Sequence, residues 1–245
     1  MAQDAKVALI TGANRGLGLE TAKQLGQEGV TIVVGARKAS VAEETAAQLR
    51  LSGVDAYGVQ LEVTNAADRA AVAKYIEDNF GKLDILINNA GQTTGEGLEN
   101  ITSKVDQAGL AEVFNTNFFA VVALTSELLP LIRKSPAGRI VNLSSILGSL
   151  ALHADPQSAI YNAKPFAYDA SKSALNAFTI HLAHELKDTP IKVNSAHPGW
   201  VKTDMGTSAA PMEIPDGAKT SVALALLGPD GPTGKFIHMG QELPW

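Results

Sequence analysis

Short runs of almost entirely apolar residues alternate along the chain with longer amphipathic segments. Strands that are apolar on both faces are typical of a parallel sheet covered by helices on each side. The predicted strands are 6–11, 31–36, 56–63, 83–88, 138–144, 191–196 and 234–239. The predicted helices are 17–28, 40–51, 66–80, 107–134, 167–187 and 217–227. This alternation predicts an α/β fold with a doubly wound parallel sheet of about seven strands.

Composition narrows the class of protein. The 245 residues favour one domain over the whole chain, 1–245, and a hydrophobic content of 45% is enough for a sizeable core. The net charge of -5, without a block of Lys or Arg, argues against a nucleic acid or an anionic membrane as partner. There is no cysteine for disulfides or for a thiol nucleophile. No signal segment and no membrane-spanning apolar run is recognised, so we expect a soluble, cytoplasmic protein.

A glycine-rich turn follows the first predicted strand and precedes a helix. In "TGANRGLG" the glycines are spaced G-x-x-x-G-x-G. Residues without a Cβ let the backbone approach a pyrophosphate, and the helix N-terminus offers N–H groups and the positive end of its dipole. The turn predicts a dinucleotide site, and a glycine turn without a ligand is the alternative. The predicted contacts are Gly12, Asn14, Arg15, Gly16, Leu17 and Gly18.

The end of the second predicted strand indicates which dinucleotide is bound. An NAD site usually offers an acid about 20 residues after the glycine turn, which bonds the ribose 2′-OH. Here no acid is present, and Arg37 and Lys38 follow the strand, with Arg15 as a further cation. Because a guanidinium binds phosphate oxygens in a bidentate way, we predict NADP(H); solvated loop charges are the alternative. Glu62, at the end of the third strand, is predicted to accept from the adenine amine or else to be a solvated acid.

A tyrosine and a lysine four residues apart, in "YDASK", carry the predicted chemistry. Positions i and i+4 of a helix share a face, so Lys172 lies beside Tyr168. The pKa of a free tyrosine is about 10, and a nearby ammonium lowers it, which makes the phenol a usable acid near neutral pH. A serine hydroxyl at a strand end would polarise a carbonyl oxygen. The small residues Ala170 and Ser171 are expected to leave room for a cofactor.

Six motifs in order now resemble the short-chain dehydrogenase/reductase family over nearly the whole chain. They are T-G-x-x-x-G-x-G, N-N-A-G, a helix asparagine, a serine, Y-x-x-x-K and a later P-G. The resemblance implies a Rossmann fold, and within the family the chain resembles NADPH-dependent carbonyl reductases of the menthone and salutaridine reductase branch. It implies a catalytic tetrad of Asn117, Ser145, Tyr168 and Lys172. In the family the asparagine holds a water that connects the lysine with solvent.

The resemblance also implies further contacts. The additional cofactor contacts are Val63, Asn89, Ala90, Gly91, Tyr168, Lys172, Pro198, Gly199, Val201 and Thr203. The expected substrate contacts are Ser145, Leu147, Tyr161, Trp200 and Met205. Substrate loops are expected at 146–166 and 200–216, with 92–98 also lining the pocket. The interval between the serine and the tyrosine is longer than is common in the family, and the excess lies in 149–166. Homodimer, tetramer and monomer therefore all stay open.

We thus predict an NADPH-dependent reductase of small ketones or aldehydes. An alcohol dehydrogenase or imine reductase on the same fold, or a non-catalytic protein that binds or senses NADPH, are the alternatives. The family pattern matches Ser145 rather than Ser144, and Ser144 would then face the other way on the strand. His181 and His184 lie at i and i+3 with no third ligand, so no metal site is predicted.

Overall fold

The computed structural model describes residues 5–94 and 101–245. Within these residues one sheet has the strand order β3-β2-β1-β4-β5-β6-β7-β8. The strands are β1 (Val7–Thr11), β2 (Thr31–Ala36), β3 (Ala56–Gln60), β4 (Ile85–Asn88), β5 (Arg139–Leu143), β6 (Lys192–Ala196), β7 (Phe236–His238) and β8 (Gln241–Glu242). The first seven are parallel, and the short β8 is antiparallel to β7. The predicted doubly wound sheet is confirmed, with one additional edge strand.

Helices cover both faces of the sheet. They are α1 (Gly16–Gln27), α2 (Ala39–Leu51), α3 (Ala66–Phe80), α4 (Gln107–Phe114), α5 (Ala120–Ile132), α6 (Leu150–Ala154), α7 (Phe166–Glu185) and α8 (Ile214–Ala225). A π-helical turn, Asn115–Phe119, joins α4 to α5. The short helix α6 lies in a segment for which the sequence predicts a loop. Helix α7 begins directly after Pro165, whose ring would clash with a preceding helical turn.

The continuous helical run Gln107–Ile132 corrects one sequence expectation. By length and composition it is apolar enough to cross a membrane, which the sequence analysis does not anticipate. Part of this apolar character has another explanation, because Val121, Leu124 and Leu128 are buried in the core, although only 33% of the apolar window is buried. A core helix of this kind passes the same length and composition test.

Successive residues of the central strand β1 point to opposite faces and enter two separate cores. Leu9 packs in one core with Leu124 of α5. Ile10 packs in the other with Leu25 of α1 and Leu224 of α8. This two-sided burial is the reason that the strand sequences are apolar throughout. The sheet order reverses between β1 and β4, and in such sheets a ligand crevice forms beyond the carboxyl ends of the strands at that point.

Candidate active site

The turn between β1 and α1 has the backbone that its glycines predict. Gly12 has φ +64° and Gly16 has φ +54°, a region that favours glycine. A Cβ on Gly18 would lie 2.5 Å from the Gly12 carbonyl oxygen. At the start of α1, the N-cap residue Arg15 forms no side-chain hydrogen bond with the first helical N–H groups. The turn therefore fits a phosphate-bearing group, which could approach the backbone closely and face the helix N-terminus.

The end of β4 is fastened to this turn by hydrogen bonds. Thr11 Oγ1 accepts from the backbone N–H of Asn89 at 3.0 Å and of Ala90 at 2.8 Å. Asn89 Nδ2 donates to the carbonyl oxygens of Thr11 at 2.7 Å and Gly12 at 3.2 Å. The side chain of Asn89 and the N–H groups of Asn89 and Ala90 thus form hydrogen bonds that hold the turn in shape. Their contact with a cofactor stays a prediction. Sequence reasoning missed Thr11, although it is the first letter of the T-G motif.

The predicted cations lie on the same edge but have different surroundings. Arg37 and Lys38 are exposed just past β2, and neither forms an ion pair with the described part of the chain. Arg15 instead pairs with Asp204 of the loop after β6, at 2.5 Å from Nη1 to Oδ2, and both side chains are mostly exposed. Sequence reasoning missed Asp204. Glu62 Oε1 accepts from the Thr64 hydroxyl at 3.1 Å.

Three of the four predicted catalytic residues meet at the start of α7. Tyr168 is half-buried, and the side chain of Ser145 is near enough to lower the pKa of its hydroxyl. Lys172 Nζ lies 5.6 Å from the centre of the tyrosine ring and donates to the Leu143 carbonyl oxygen at 2.7 Å. Ser144 is buried and its hydroxyl has no partner among the described residues. Of the two serines, Ser145 is the one whose side chain acts on the tyrosine hydroxyl, and its catalytic role stays a prediction.

The protonation of this group differs from the sequence expectation. Burial raises the pKa of Tyr168 to about 12; the side chain of Ser145 lowers the pKa in part and neighbouring Asp169 raises it. Burial lowers the pKa of Lys172 to about 8. The expectation of a lowered tyrosine pKa is wrong in this structure, because burial raises the pKa and the amine of Lys172 is bonded to the Leu143 carbonyl oxygen. The phenol is protonated at neutral pH.

The fourth predicted residue, Asn117, is buried in the π-helical turn and fastens a neighbouring segment. Its Nδ2 donates to the Gln92 carbonyl oxygen at 2.9 Å and to Ser171 Oγ at 3.0 Å. Its Oδ1 accepts from the Gln92 N–H at 2.8 Å. Ser171 in turn donates to the Tyr168 carbonyl oxygen at 2.7 Å. Ser171 is therefore part of the core rather than a gap left for a cofactor, and the water-holding role of Asn117 stays a prediction.

The expected substrate residues lie on two loops with much of their surface exposed. Tyr161, Trp200 and Met205 are 38%, 55% and 47% exposed. Trp200 Nε1 donates to the Gly206 carbonyl oxygen at 2.7 Å, which closes the loop on itself. Their contact with a substrate, and that of Leu147, stays a prediction. Of the expected lining segment 92–98, residues 95–98 lie outside the described residues.

The segment after β6 reaches back to the glycine turn. Gly199 has φ +92°, and Val201 forms an isolated bridge with Met212. The methyl group of Thr203 lies 3.8 Å from the position that a Cβ on Gly16 would take. Thr203 thus lies beside the turn, as a contact to cofactor phosphates requires.

A partly buried polar cluster, which the sequence does not indicate, connects the lengthened segment to α7. Lys164 Nζ lies 3.1 Å from His153 Nδ1, and His153 Nε2 lies 2.9 Å from the Leu147 carbonyl oxygen and 3.2 Å from Asp169 Oδ2. Burial raises the pKa of Asp169 to about 8, against a smaller opposing effect of Lys164, and lowers the pKa of His153. We call these three charged or ionisable residues, His153, Lys164 and Asp169, the α6–α7 cluster.

Comparison with known proteins agrees with this geometry. The family model described as short chain dehydrogenase matches residues 6–214. A 3-oxoacyl-[acyl-carrier-protein] reductase of Pseudomonas aeruginosa is 34% identical over 205 residues, which cover 84% of this chain and 77% of that protein.

Solved structures with the same fold include two reductases. The NADPH-bound carbonyl reductase from chicken fatty liver has a TM-score of 0.83 at 26% identity, covering 98% of this chain and 99% of the other. Salutaridine reductase from Papaver somniferum has a TM-score of 0.81 at 28% identity, covering 94% and 99%. The family resemblance predicted from the motifs is confirmed.

Proposed function

Because the chain belongs to the short-chain dehydrogenase family, whose members are oxidoreductases that act on CH–OH or C=O groups with a nicotinamide cofactor, we propose that it is an NADPH-dependent reductase of small ketones or aldehydes. The observation that carries the proposal is the arrangement of Tyr168 near the side chain of Ser145, with the buried Lys172 Nζ 5.6 Å from the centre of its ring. A group that must donate a proton has to hold one at the working pH.

The residues of this chain act on the substrate oxygen. When bound, NADPH supplies the hydride that reduces the carbonyl carbon. The Ser145 hydroxyl orients the carbonyl oxygen, and the Tyr168 hydroxyl gives that oxygen its proton. Lys172 lies beside the tyrosine ring, and its pKa of about 8 lets the amine exchange a proton near neutral pH and return one to the phenolate that remains.

The choice of NADPH rests on charge. Gly12, Gly16 and Gly18 would hold the pyrophosphate, and Lys172 would bond the ribose. Arg37, with Lys38 beside it, would bind the 2′-phosphate, since no acid follows β2 to accept from a free 2′-hydroxyl. That a related carbonyl reductase binds NADPH supports the same choice.

The test is NADPH consumption with a panel of ketones and aldehydes, for wild type, Tyr168→Phe and the control Tyr75→Phe. Tyr75 lies on α3, so its variant keeps wild-type turnover. We expect Tyr168→Phe to lose about 10²- to 10⁴-fold in kcat while its equilibrium binding of NADPH persists. Full turnover by Tyr168→Phe would exclude this proton donor. Tighter binding of NADH than NADPH would contradict the cofactor proposal, and NADPH binding without turnover of any carbonyl would favour a sensor.

A second candidate substrate is a 3-oxoacyl thioester. The relative from Pseudomonas aeruginosa favours it, because that protein is a 3-oxoacyl-[acyl-carrier-protein] reductase. The chemistry at the ketone is the same, so a 3-oxoacyl thioester belongs in the panel. A kcat/KM for the thioester far above those for free ketones would select this candidate.

A further inference from the structure

A buried histidine lies between the two strand ends that face the reacting groups. His197, directly after β6, is 8% exposed. Its Nδ1 accepts from the backbone N–H of Ile146 at 3.2 Å and from that of Gly199 at 3.4 Å. Ile146 follows Ser145, and Gly199 belongs to the segment predicted to contact the cofactor. One nitrogen atom thus joins the serine side of the site to the cofactor side.

The imidazole is held in one orientation and one tautomer. The backbone N–H of His197 donates to the Ile237 carbonyl oxygen at 2.8 Å. Its own carbonyl oxygen accepts from His238 Nδ1 at 2.8 Å, and the two rings lie 4.7 Å apart. Because Nδ1 accepts two N–H groups, the ring proton is on Nε2 and the imidazole is neutral. Burial, together with His238, lowers the pKa of His197 to about 3, so the ring stays an acceptor at neutral pH.

The neighbouring serine depends on the backbone that this nitrogen holds. Ser145 Oγ accepts from the Leu147 N–H at 3.2 Å and caps the short turn Ile146–Gly148. A Cβ on Gly148 would lie 2.9 Å from the backbone of Lys172, so the turn packs tightly on α7. If the Ile146 N–H lost its acceptor, the turn would have to move to find another, and the hydroxyl of Ser145 would move with it.

We infer that His197 is a positioning residue of this reaction, whose Nδ1 fixes Ser145 against Tyr168 and fixes Gly199 on the cofactor side. The inference rests on the proposed carbonyl reduction. His197 contacts neither Ser145 nor Tyr168 through a hydrogen bond among the described residues, so it acts through the backbone and is not a catalytic residue.

The test compares two replacements that differ in their ability to accept a hydrogen bond. His197→Leu fills similar space without an acceptor, whereas Oδ1 in His197→Asn lies near the position of Nδ1. We expect kcat to fall about tenfold or more in His197→Leu, the cost of an unpaired buried N–H, and to recover largely in His197→Asn. Affinity for NADPH should fall less than kcat, because the glycine turn is untouched. Exposed His181 on α7 provides the control His181→Leu.

A second readout does not depend on turnover. Amide hydrogen exchange at Ile146 and Gly199 should speed up in His197→Leu and return toward wild type in His197→Asn. Unchanged exchange and kcat in His197→Leu, or equal damage by both variants, would overturn the inference. If wild type reduces no carbonyl, the proposed function fails while the exchange result still decides whether Nδ1 holds both amides. If His197→Leu does not fold, His197→Ala with added imidazole replaces it: recovery supports the inference, and no recovery overturns it.

Discussion

Replacing Asp169 by asparagine tests whether the α6–α7 cluster contains a neutral carboxyl group. Asp169 is 7% exposed, and its Oδ1 has no hydrogen-bond partner among the described residues. Its Oδ2 lies 3.2 Å from His153 Nε2. Asparagine has the same shape, carries no charge, and can accept from His153 at the same place. The substitution therefore removes the titration of this position and little else.

The expected change in the free energy of unfolding follows from the difference between the folded and unfolded pKa of Asp169. Burial raises the pKa of Asp169 to about 8, whereas the carboxyl of an unfolded chain has a pKa of about 3.9. Between these values the folded protein holds a proton that the unfolded chain has released, so this group's contribution to stability falls as the pH rises through the window. Each pH unit is worth about 1.4 kcal/mol. From pH 5 to pH 7, wild type should lose about 3 kcal/mol relative to Asp169→Asn.

Urea unfolding at pH 5, 6 and 7 measures this change. Only the difference between the two proteins is used, so titrations that they share, such as that of Lys172, cancel. Asp216→Asn, which removes a half-exposed carboxylate on α8, controls for the change in net charge. If the free energies of unfolding of wild type and Asp169→Asn stay parallel from pH 5 to pH 7, Asp169 is already ionised and paired with a protonated His153, and the reasoning is refuted.

Two further predictions concern the cofactor side. Gly18→Ala should abolish measurable NADPH binding, because its Cβ would lie 2.5 Å from the Gly12 carbonyl oxygen. If equilibrium titration gave the wild-type affinity, the glycine turn would not be the cofactor site. Asp204→Asn should free Arg15 for the 2′-phosphate and tighten NADPH binding up to about fivefold, since an exposed ion pair is worth at most about 1 kcal/mol. The affinity of Asp204→Asn for NADH and the affinity of the control Glu213→Gln for NADPH should not change. An equal gain in NADH affinity would show that Arg15 does not bind the 2′-phosphate.

The sequence predicts the sheet well because its apolar runs reflect burial on both faces. Leu9 and Ile10 enter different cores, and this requirement is visible in the letters alone. Helix α6 is not predictable in the same way. It has five residues and depends on tertiary contacts, including the bond from the Ala151 N–H to the Trp245 carbonyl oxygen at 2.8 Å. Strand β8 likewise exists only through its pairing with β7.

The motifs predict which site segments meet, but not the partners of each polar atom. The tyrosine and serine come together as expected because both follow from the order of strands and helices. The amine of Lys172 bonds the Leu143 carbonyl oxygen instead of acting mainly on the phenol, and a backbone acceptor leaves no mark in the sequence. Arg15 and Asp204 are far apart along the chain and both exposed, so no periodicity indicates their ion pair.

The protonation of Tyr168 gives a reason to prefer reduction over oxidation that the motif cannot supply. The same Ser145–Tyr168–Lys172 arrangement serves either direction, since a proton donor in one is an acceptor in the other. Oxidation of an alcohol requires the phenolate first, and burial, which raises the pKa of Tyr168 to about 12, opposes that form at neutral pH. Reduction begins from the protonated phenol and produces an alkoxide, a stronger base than phenolate. Proton transfer then runs downhill, so the half-buried tyrosine at neutral pH is in the protonated form from which the proposed reduction starts.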